Sequence, residues 1–227
     1  MATKKSVMSA IKSFDPDDAT VIILFAKFPA HGMAKTRLQP ALGIEGASKM
    51  AKQLLLYSIE QAVATGFTVE LCVSPAPTDR CWQTLDLPDS LQWSAQAEGD
   101  LGLRMLIASQ NALEQFDNVL LIGTDCPSLT AERIQYAAQE LVSQEAVMIP
   151  ASDGGYVLLG LKQTHKRLFS NMTWSVSDVA AVTQQRLAEL DWSLGLLETL
   201  HDIDEPDDLQ YLPAGWLDGY TLIESLF

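Results

Sequence analysis

Three segments of the chain carry residue types suited to phosphate and metal chemistry. Ala26-Lys-Phe-Pro-Ala-His-Gly-Met-Ala-Lys-Thr-Arg-Leu38 crowds Lys27, Lys35 and Arg37 into one stretch of a chain that has only 15 basic residues. Gly32, inside it, can take a positive φ and turn backbone N–H groups toward an anion, so the stretch reads as a phosphate cradle. The competing reading is a solvated basic loop. Its spacing is neither the G-x-x-x-x-G-K-[ST] of a P-loop nor the G-x-G-x-x-G of a dinucleotide fold. Asp125, in Leu120-Leu-Ile-Gly-Thr-Asp-Cys-Pro127, follows an apolar run. A hard carboxylate there suits Mg²⁺ or Mn²⁺, which proteins often hold through one or two carboxylates while phosphates and water complete the shell. Alternatively, Asp125 satisfies backbone donors of its own turn. The third segment, His201-Asp-Ile-Asp-Glu-Pro-Asp-Asp-Leu209, is dense in carboxylates. Alternation puts Asp202 and Asp204 on one side of the chain, and Pro206 opens a helix whose positive end favours Asp207 and Asp208. Helix-start chemistry accounts less well for Asp204, which is left free to be a second metal ligand.

Two further loops combine glycine with charge: Glu98-Gly-Asp-Leu-Gly-Leu-Arg104 and Asp153-Gly-Gly-Tyr156. Glycines let a ligand approach the backbone, and Asp100, Arg104 and Asp153 could hold a ribose, a sugar or an acceptor. Trp174 reads either as core beside a helix cap at Ser175 or as a stacking platform. Cys126 has no His neighbour in sequence and reads as a small buried residue rather than a nucleophile.

The elements that must position these groups follow from hydrophobic periodicity. Val21–Ala26 is a short continuous apolar run with β-branched members, the pattern of a strand buried on both faces. Further strands are expected at Phe67–Val73, Leu91–Ala95, Val119–Ile122, Ala146–Ile149 and Gly155–Leu161, with Leu194–Leu200 open between strand and loop. Helices are expected from Gly46 to Ala62 with Gly66 as stop, over Met105–Phe116, from a Thr130 cap to about Val142, and over Val176–Leu190 begun by Ser175 with Asp178 three residues on. Alternating β and α segments with short connections imply a doubly wound sheet whose ligands gather at the carboxyl ends of the strands. Each of the charged segments follows one of those ends.

Composition removes several classes of function. Acidic residues outnumber basic ones 29 to 15, a formal charge of -14, so the summed field repels nucleic acid and anionic lipid. The longest apolar run falls far short of the roughly 20 residues that span a bilayer. Lys4 and Lys5 precede no apolar h-region, so export is not expected. Three cysteines without C-x-x-C spacing fit neither a disulfide framework nor a zinc site, and a reducing cytoplasm is the simplest setting. Residues 1–19 read as a leader and residues 20–227 as a single domain.

Taken together, K-F-P-x-x-G-x-x-K-T-R-L, G-D-L-G-x-R-M, G-T-D-C-P-S-L-T, P-A-x-D-G-G-Y-x-L-x-G-L, W-S and D-I-D-E-P-D-D-L resemble, in this order from Val21 to about Leu212, one bacterial family. It is the glycosyltransferase-like family called radical-SAM/selenodomain-associated transferase 1. The resemblance implies an α/β, Rossmann-like three-layer α/β/α architecture, the GT-A fold of nucleotide-diphospho-sugar transferases, with a mostly parallel mixed sheet. Nucleotidyltransferases of the molybdopterin guanylyltransferase and cytidylyltransferase groups share that fold. The resemblance places Lys27, Gly32, Lys35 and Arg37 at nucleotide phosphates, Asp100 with Arg104 near nucleotide or substrate, and Asp125 at the metal aspartate. Asp204 matches a second metal carboxylate, with Glu205 where relatives have Thr. The first strand ends in Ala26-Lys27-Phe28-Pro29 where many nucleotidyltransferases have L-A-G-G.

The function expected is a Mg²⁺- or Mn²⁺-dependent transferase that moves a sugar from a nucleotide-sugar to a small acceptor. Lys35 would stabilise developing charge, Asp153 would be the base, and Arg104, Gly154, Gly155, Tyr156 and Trp174 would line the substrate. Two alternatives stand beside it. One is nucleotidyl transfer from an NTP to a phosphorylated metabolite with pyrophosphate release, and the other is a nucleotide-binding protein without catalysis.

Overall fold

The structure is a computed structural model that describes residues 19–174 and 176–223. In chain order it contains β1 (Thr20–Lys27), α1 (Gln39–Ala64), β2 (Thr68–Ser74), β3 (Gln92–Ala95), α2 (Leu101–Leu113), β4 (Asn118–Ile122), α3 (Ala131–Glu140), β5 (Ala146–Pro150), β6 (Tyr156–Leu161), α4 (Lys166–Phe169), α5 (Val179–Glu189) and β7 (Leu194–Leu196). Short 3₁₀ segments lie at Thr36–Leu38, Arg80–Thr84 and Pro206–Tyr211. The strands form one seven-stranded sheet in the order β3-β2-β1-β4-β6-β5-β7, all parallel except β6, which is antiparallel to both β4 and β5.

The apolar run in β1 is continuous because both of its faces are covered. Ile22, Leu24 and Ala26 pack with Leu55 and Ile59 of α1 and Ile134 of α3. Val21 and Ile23, pointing the other way, pack with Met105 and Ala108 of α2 and Leu187 of α5. Alternate residues of one strand thus anchor two helical layers, and each fully buried aliphatic side chain contributes roughly 1.5–3 kcal/mol. A third cluster, around Leu38, Met50, Ile203 and Leu209, ties the start of α1 to the carboxylate-rich segment. No helix among the described residues is long and apolar enough to cross a membrane.

Several boundaries differ from the sequence expectation. The first helix begins seven residues before Gly46, with Pro40 in its first turn and a non-helical break at Gly43. Helix α2 begins at Leu101 rather than Met105, so most of the stretch expected to be a glycine-rich loop is helix. Asp100 is the reason: its Oδ1 accepts from Leu103 N at 2.8 Å, a helix cap. Thr130 takes the cap position of α3 without a capping side-chain bond, and Gln61 Oε1 accepts from Ala131 N instead. Helix α5 starts at Val179 after Asp178, and Ser175 lies outside the described residues. The helix expected after Pro206 is a 3₁₀ segment. Of the expected leader, residues 1–18 lie outside the described residues, whereas Ala19 is buried and its carbonyl accepts from Asp117 N and Asn118 N.

Candidate active site

The parallel strands deliver their following loops to one edge of the sheet. Antiparallel β6 starts there, because its register pairs Leu158 with Ile122 near the end of β4 and Tyr156 with Pro150 at the end of β5. Lys35 after β1, Asp125 after β4, Asp153 after β5 and the Asp202–Asp204 segment after β7 therefore share this edge. A backbone bond locks two of these loops together, Ile203 N donating to Asp125 O at 2.8 Å. Ile203 is fully buried, so the extended chain turns its neighbours Asp202 and Asp204 away from the core.

The structure brings Lys35, Asp125 and Asp204 together. The Lys35 ammonium lies 2.5 Å from Asp125 Oδ1 and 2.6 Å from Asp204 Oδ1. Its side chain is 10% exposed, whereas those of Asp125 and Asp204 are 47% and 41% exposed, so the carboxylates stay open to solvent beyond the ammonium. Burial alone would push the ammonium down, but charge and hydrogen bonds from the two carboxylates outweigh it and hold Lys35 above its ordinary value. The residue reaches this position from a left-handed backbone, φ 46° and ψ 46°, uncommon for a side chain of its size.

Beside this triad a cleft of about 120 Å³ is lined by Asp125, Cys126, Asp153, Gly155, Tyr156 and Asp202 among others. Asp202 is held up at about 6, by burial first and then by the charge of Asp153, with Asp204 and Asp125 adding to it. Within the triad and cleft, the Lys35 ammonium thus faces four carboxylates, those of Asp125, Asp153, Asp202 and Asp204. Burial pushes the Cys126 thiol up to about 11, the state of a structural cysteine.

The sign of the Asp202 effect gives a stability prediction. Between its ordinary 3.8 and about 6, the folded chain binds a proton that the unfolded chain has released, so stability falls as pH rises through that window. Asp202→Asn is expected to melt above the parent at pH 8 and to lose that advantage below pH 4, as read by thermal melts across pH.

The other expected site residues fall in different places. Arg37 is exposed at the rim, its guanidinium 3.9 Å from Glu205 Oε1. Lys27 is exposed at the end of β1. Gly32 has the positive φ expected of it, 72°, but its N–H donates to Ser48 Oγ at 3.2 Å and is directed to the protein rather than to a ligand. Asp208 performs the helix-start role, its Oδ2 accepting from Asp204 N and Glu205 N.

Asp100 and Arg104 do not line the cleft. Asp100 caps α2, and Arg104 donates to Gly99 O and Gln96 Oε1, while Gln96 donates to Ala26 O and Cys72 O across β1 and β2. Gly154, with φ 93°, abuts the main chain of Ser177 where a Cβ has no room, and its carbonyl accepts from Ala180 N in α5. Its work is to seat that helix. Tyr156 contributes to the cleft wall, but its hydroxyl is buried toward Met105 Sδ, 3.7 Å away, and its pKa is pushed up by burial. Trp174 packs over Gly102 and Phe169, with its indole Nε1 enclosed and without a partner among the described residues. Apart from Tyr156 in the cleft wall, these are positions of core and scaffold. Asp202 is the one cleft carboxylate to which the sequence assigns no role, although its alternation with Asp204 is visible there.

Asp125 and Asp204 are the residues that could hold a divalent cation. Both already converge on one cationic atom, and their oxygens are the hard donors that Mg²⁺ or Mn²⁺ takes. Among the described residues no group of three or more His, Cys, Asp or Glu side chains is arranged to hold an ion. Two carboxylates with substrate phosphates and water are a sufficient set for such ions.

A three-layer arrangement with one antiparallel strand beside the strand that delivers Asp125 is the nucleotide-diphospho-sugar transferase fold. The chain belongs to the bacterial family described as "Uncharacterized protein conserved in bacteria (DUF2064)", whose pattern matches residues 58–176, just over half of its length. A protein from Desulfovibrio desulfuricans G20, described as a candidate nucleotide-diphospho-sugar transferase, shares 26% identity and superposes with a TM-score of 0.81, over 90% of this chain and 92% of that one. CMP:2-keto-3-deoxy-manno-octonic acid synthetase complexed with CTP shares the fold at 11% identity and a TM-score of 0.54, over 85% of this chain and 95% of that one. So does Rv0371c from Mycobacterium tuberculosis H37Rv complexed with manganese, at 11% and 0.53, over 85% and 96%. The comparison with curated proteins finds no match.

Proposed function

We propose that the protein is a divalent-metal-dependent transferase that takes a nucleotide-sugar and moves its sugar to a small acceptor. The observation that supports this reading is the convergence of Asp125, Asp204 and Lys35 at the carboxyl edge of the sheet, next to a cleft walled by Asp153 and Asp202. In this reading Asp125 and Asp204 hold Mg²⁺ or Mn²⁺, which supplies Lewis-acid neutralisation of the diphosphate. Lys35 adds a positive charge from within the site, and Lys27 and Arg37, both exposed at the same edge, draw phosphate toward a chain that otherwise repels it.

Asp153 takes the proton of the acceptor hydroxyl as that oxygen bonds to the anomeric carbon. The bond from this carbon to the diphosphate oxygen breaks, and nucleoside diphosphate leaves with the electron pair. The likeness to a protein described as a candidate nucleotide-diphospho-sugar transferase, of the same fold and similar length, supports the choice of donor. The fold is also that of a synthetase that binds CTP, so the products decide. Incubation with a panel of nucleotide-sugars, selected by thermal shift with Mg²⁺ or Mn²⁺, is expected to release nucleoside diphosphate and no pyrophosphate. Pyrophosphate formed from an NTP would replace sugar transfer with nucleotidyl transfer in the same cleft.

A further inference from the structure

We infer that Lys35 competes with the divalent cation for Asp125 and Asp204, so that the ion binds tightly only when the ammonium gives up the two carboxylates. The inference rests on the metal reading above and adds to it a competitor for the same oxygens. One Oδ1 of each aspartate is already in contact with the same ammonium, so the place where a shared ion would draw both charges is filled by a group of the chain itself. An ammonium and a divalent ion cannot both sit between these oxygens without strong mutual repulsion.

The alternative placement for the ammonium is also set by the chain. Lys35 ends the loop between Lys27, the last residue of β1, and the 3₁₀ turn Thr36–Leu38 that holds Arg37, and both of those cations are exposed at the same edge. An arriving phosphate offers Lys35 a new anion at the moment the carboxylates are given up. Lys35 thereby couples the two binding events: without phosphate the ammonium holds the carboxylates and disfavours the ion, and with phosphate it is drawn off and the ion is admitted. Lys35 is in this sense a gatekeeper of metal entry as well as a charge in the site.

Mn²⁺ alone is the probe, its free concentration read by electron paramagnetic resonance with no nucleotide present. Lys35→Gln is expected to bind Mn²⁺ about tenfold or more tightly than the parent, because one charge in direct contact has been removed. Lys35→Arg, which keeps that charge, is expected to bind as weakly as the parent. Asp204→Asn in the Lys35→Gln background is expected to remove the gain. A second measurement uses the unaltered protein: acetic anhydride labelling of Lys35, followed by mass spectrometry, is expected to rise on addition of saturating Mn²⁺, since a side chain now 10% exposed would be released. Unchanged affinity in Lys35→Gln together with unchanged labelling, while Asp125→Asn still removes Mn²⁺ binding, would overturn the competition and leave the metal reading standing. Mn²⁺ binding that is indifferent to Asp125→Asn and Asp204→Asn, or absent from every variant and from the parent with nucleotide, would overturn both.

Discussion

Asp125→Asn is expected to lower turnover by about 10²- to 10³-fold and to abolish the Mg²⁺-dependent part of the thermal shift produced by nucleotide. The apo protein should melt close to the parent. The main-chain carbonyl that accepts from Ile203 N is untouched, an amide fits where the carboxylate was, and Lys35 keeps Asp204 as its partner. Lys35 is largely buried, but Asp204 still supplies an opposite charge in direct contact with its ammonium, so the loss to folding is small. A metal response of parental size in this variant would take Asp125 out of the site.

Asp153→Asn is the second large effect, a fall of about 10²- to 10⁴-fold in kcat for sugar transfer, the range of a lost general base. KM should move little, because the proton is transferred only as the new bond forms. The substitution is informative because Asp153 also supports the local backbone, where its Oδ1 accepts from Gly155 N at 2.8 Å and shapes the turn before β6. An asparagine oxygen accepts the same bond, so the turn survives while the basic oxygen is gone. Asp153→Ala removes both, and comparison of the two variants separates chemistry from turn geometry. Full activity in Asp153→Asn would assign the base to another cleft carboxylate.

What is legible in the sequence divides along a physical line. The central strands are visible because a strand covered on both faces must be apolar at every position, as in Val21–Ala26, where shortness and β-branched residues separate it from a buried helix. The carboxyl-edge location of Asp125, Asp153 and Asp204 follows from the β-α alternation. Helix starts are less legible where a local cap competes with glycine. Glu98–Arg104 reads as a loop because of Gly99 and Gly102, yet Gly102 is small to admit Trp174 and Phe169, a demand set by residues some seventy positions away. Trp174 is open in the sequence between core and stacking platform, and the structure packs its ring in the core, while Tyr156 serves both, in the cleft wall and with its hydroxyl turned toward Met105. The joining of Lys35 to Asp204 is out of reach for the same reason: it spans 169 residues of chain and depends on a left-handed turn at a lysine, which no periodicity announces.

The bond from Ile203 N to Asp125 O has a practical corollary for redesign. The spacing between the β4 loop and the 201–204 segment is fixed by peptide atoms that every residue other than proline at 203 possesses, with Ile203 buried beneath as the anchor. The Asp202 side chain hangs from this frame without building it, whereas that of Asp153 shapes the turn before β6. A library that randomises position 202 while leaving Ile203 and Asp153 in place can vary the cleft wall on an intact scaffold, one side chain at a time.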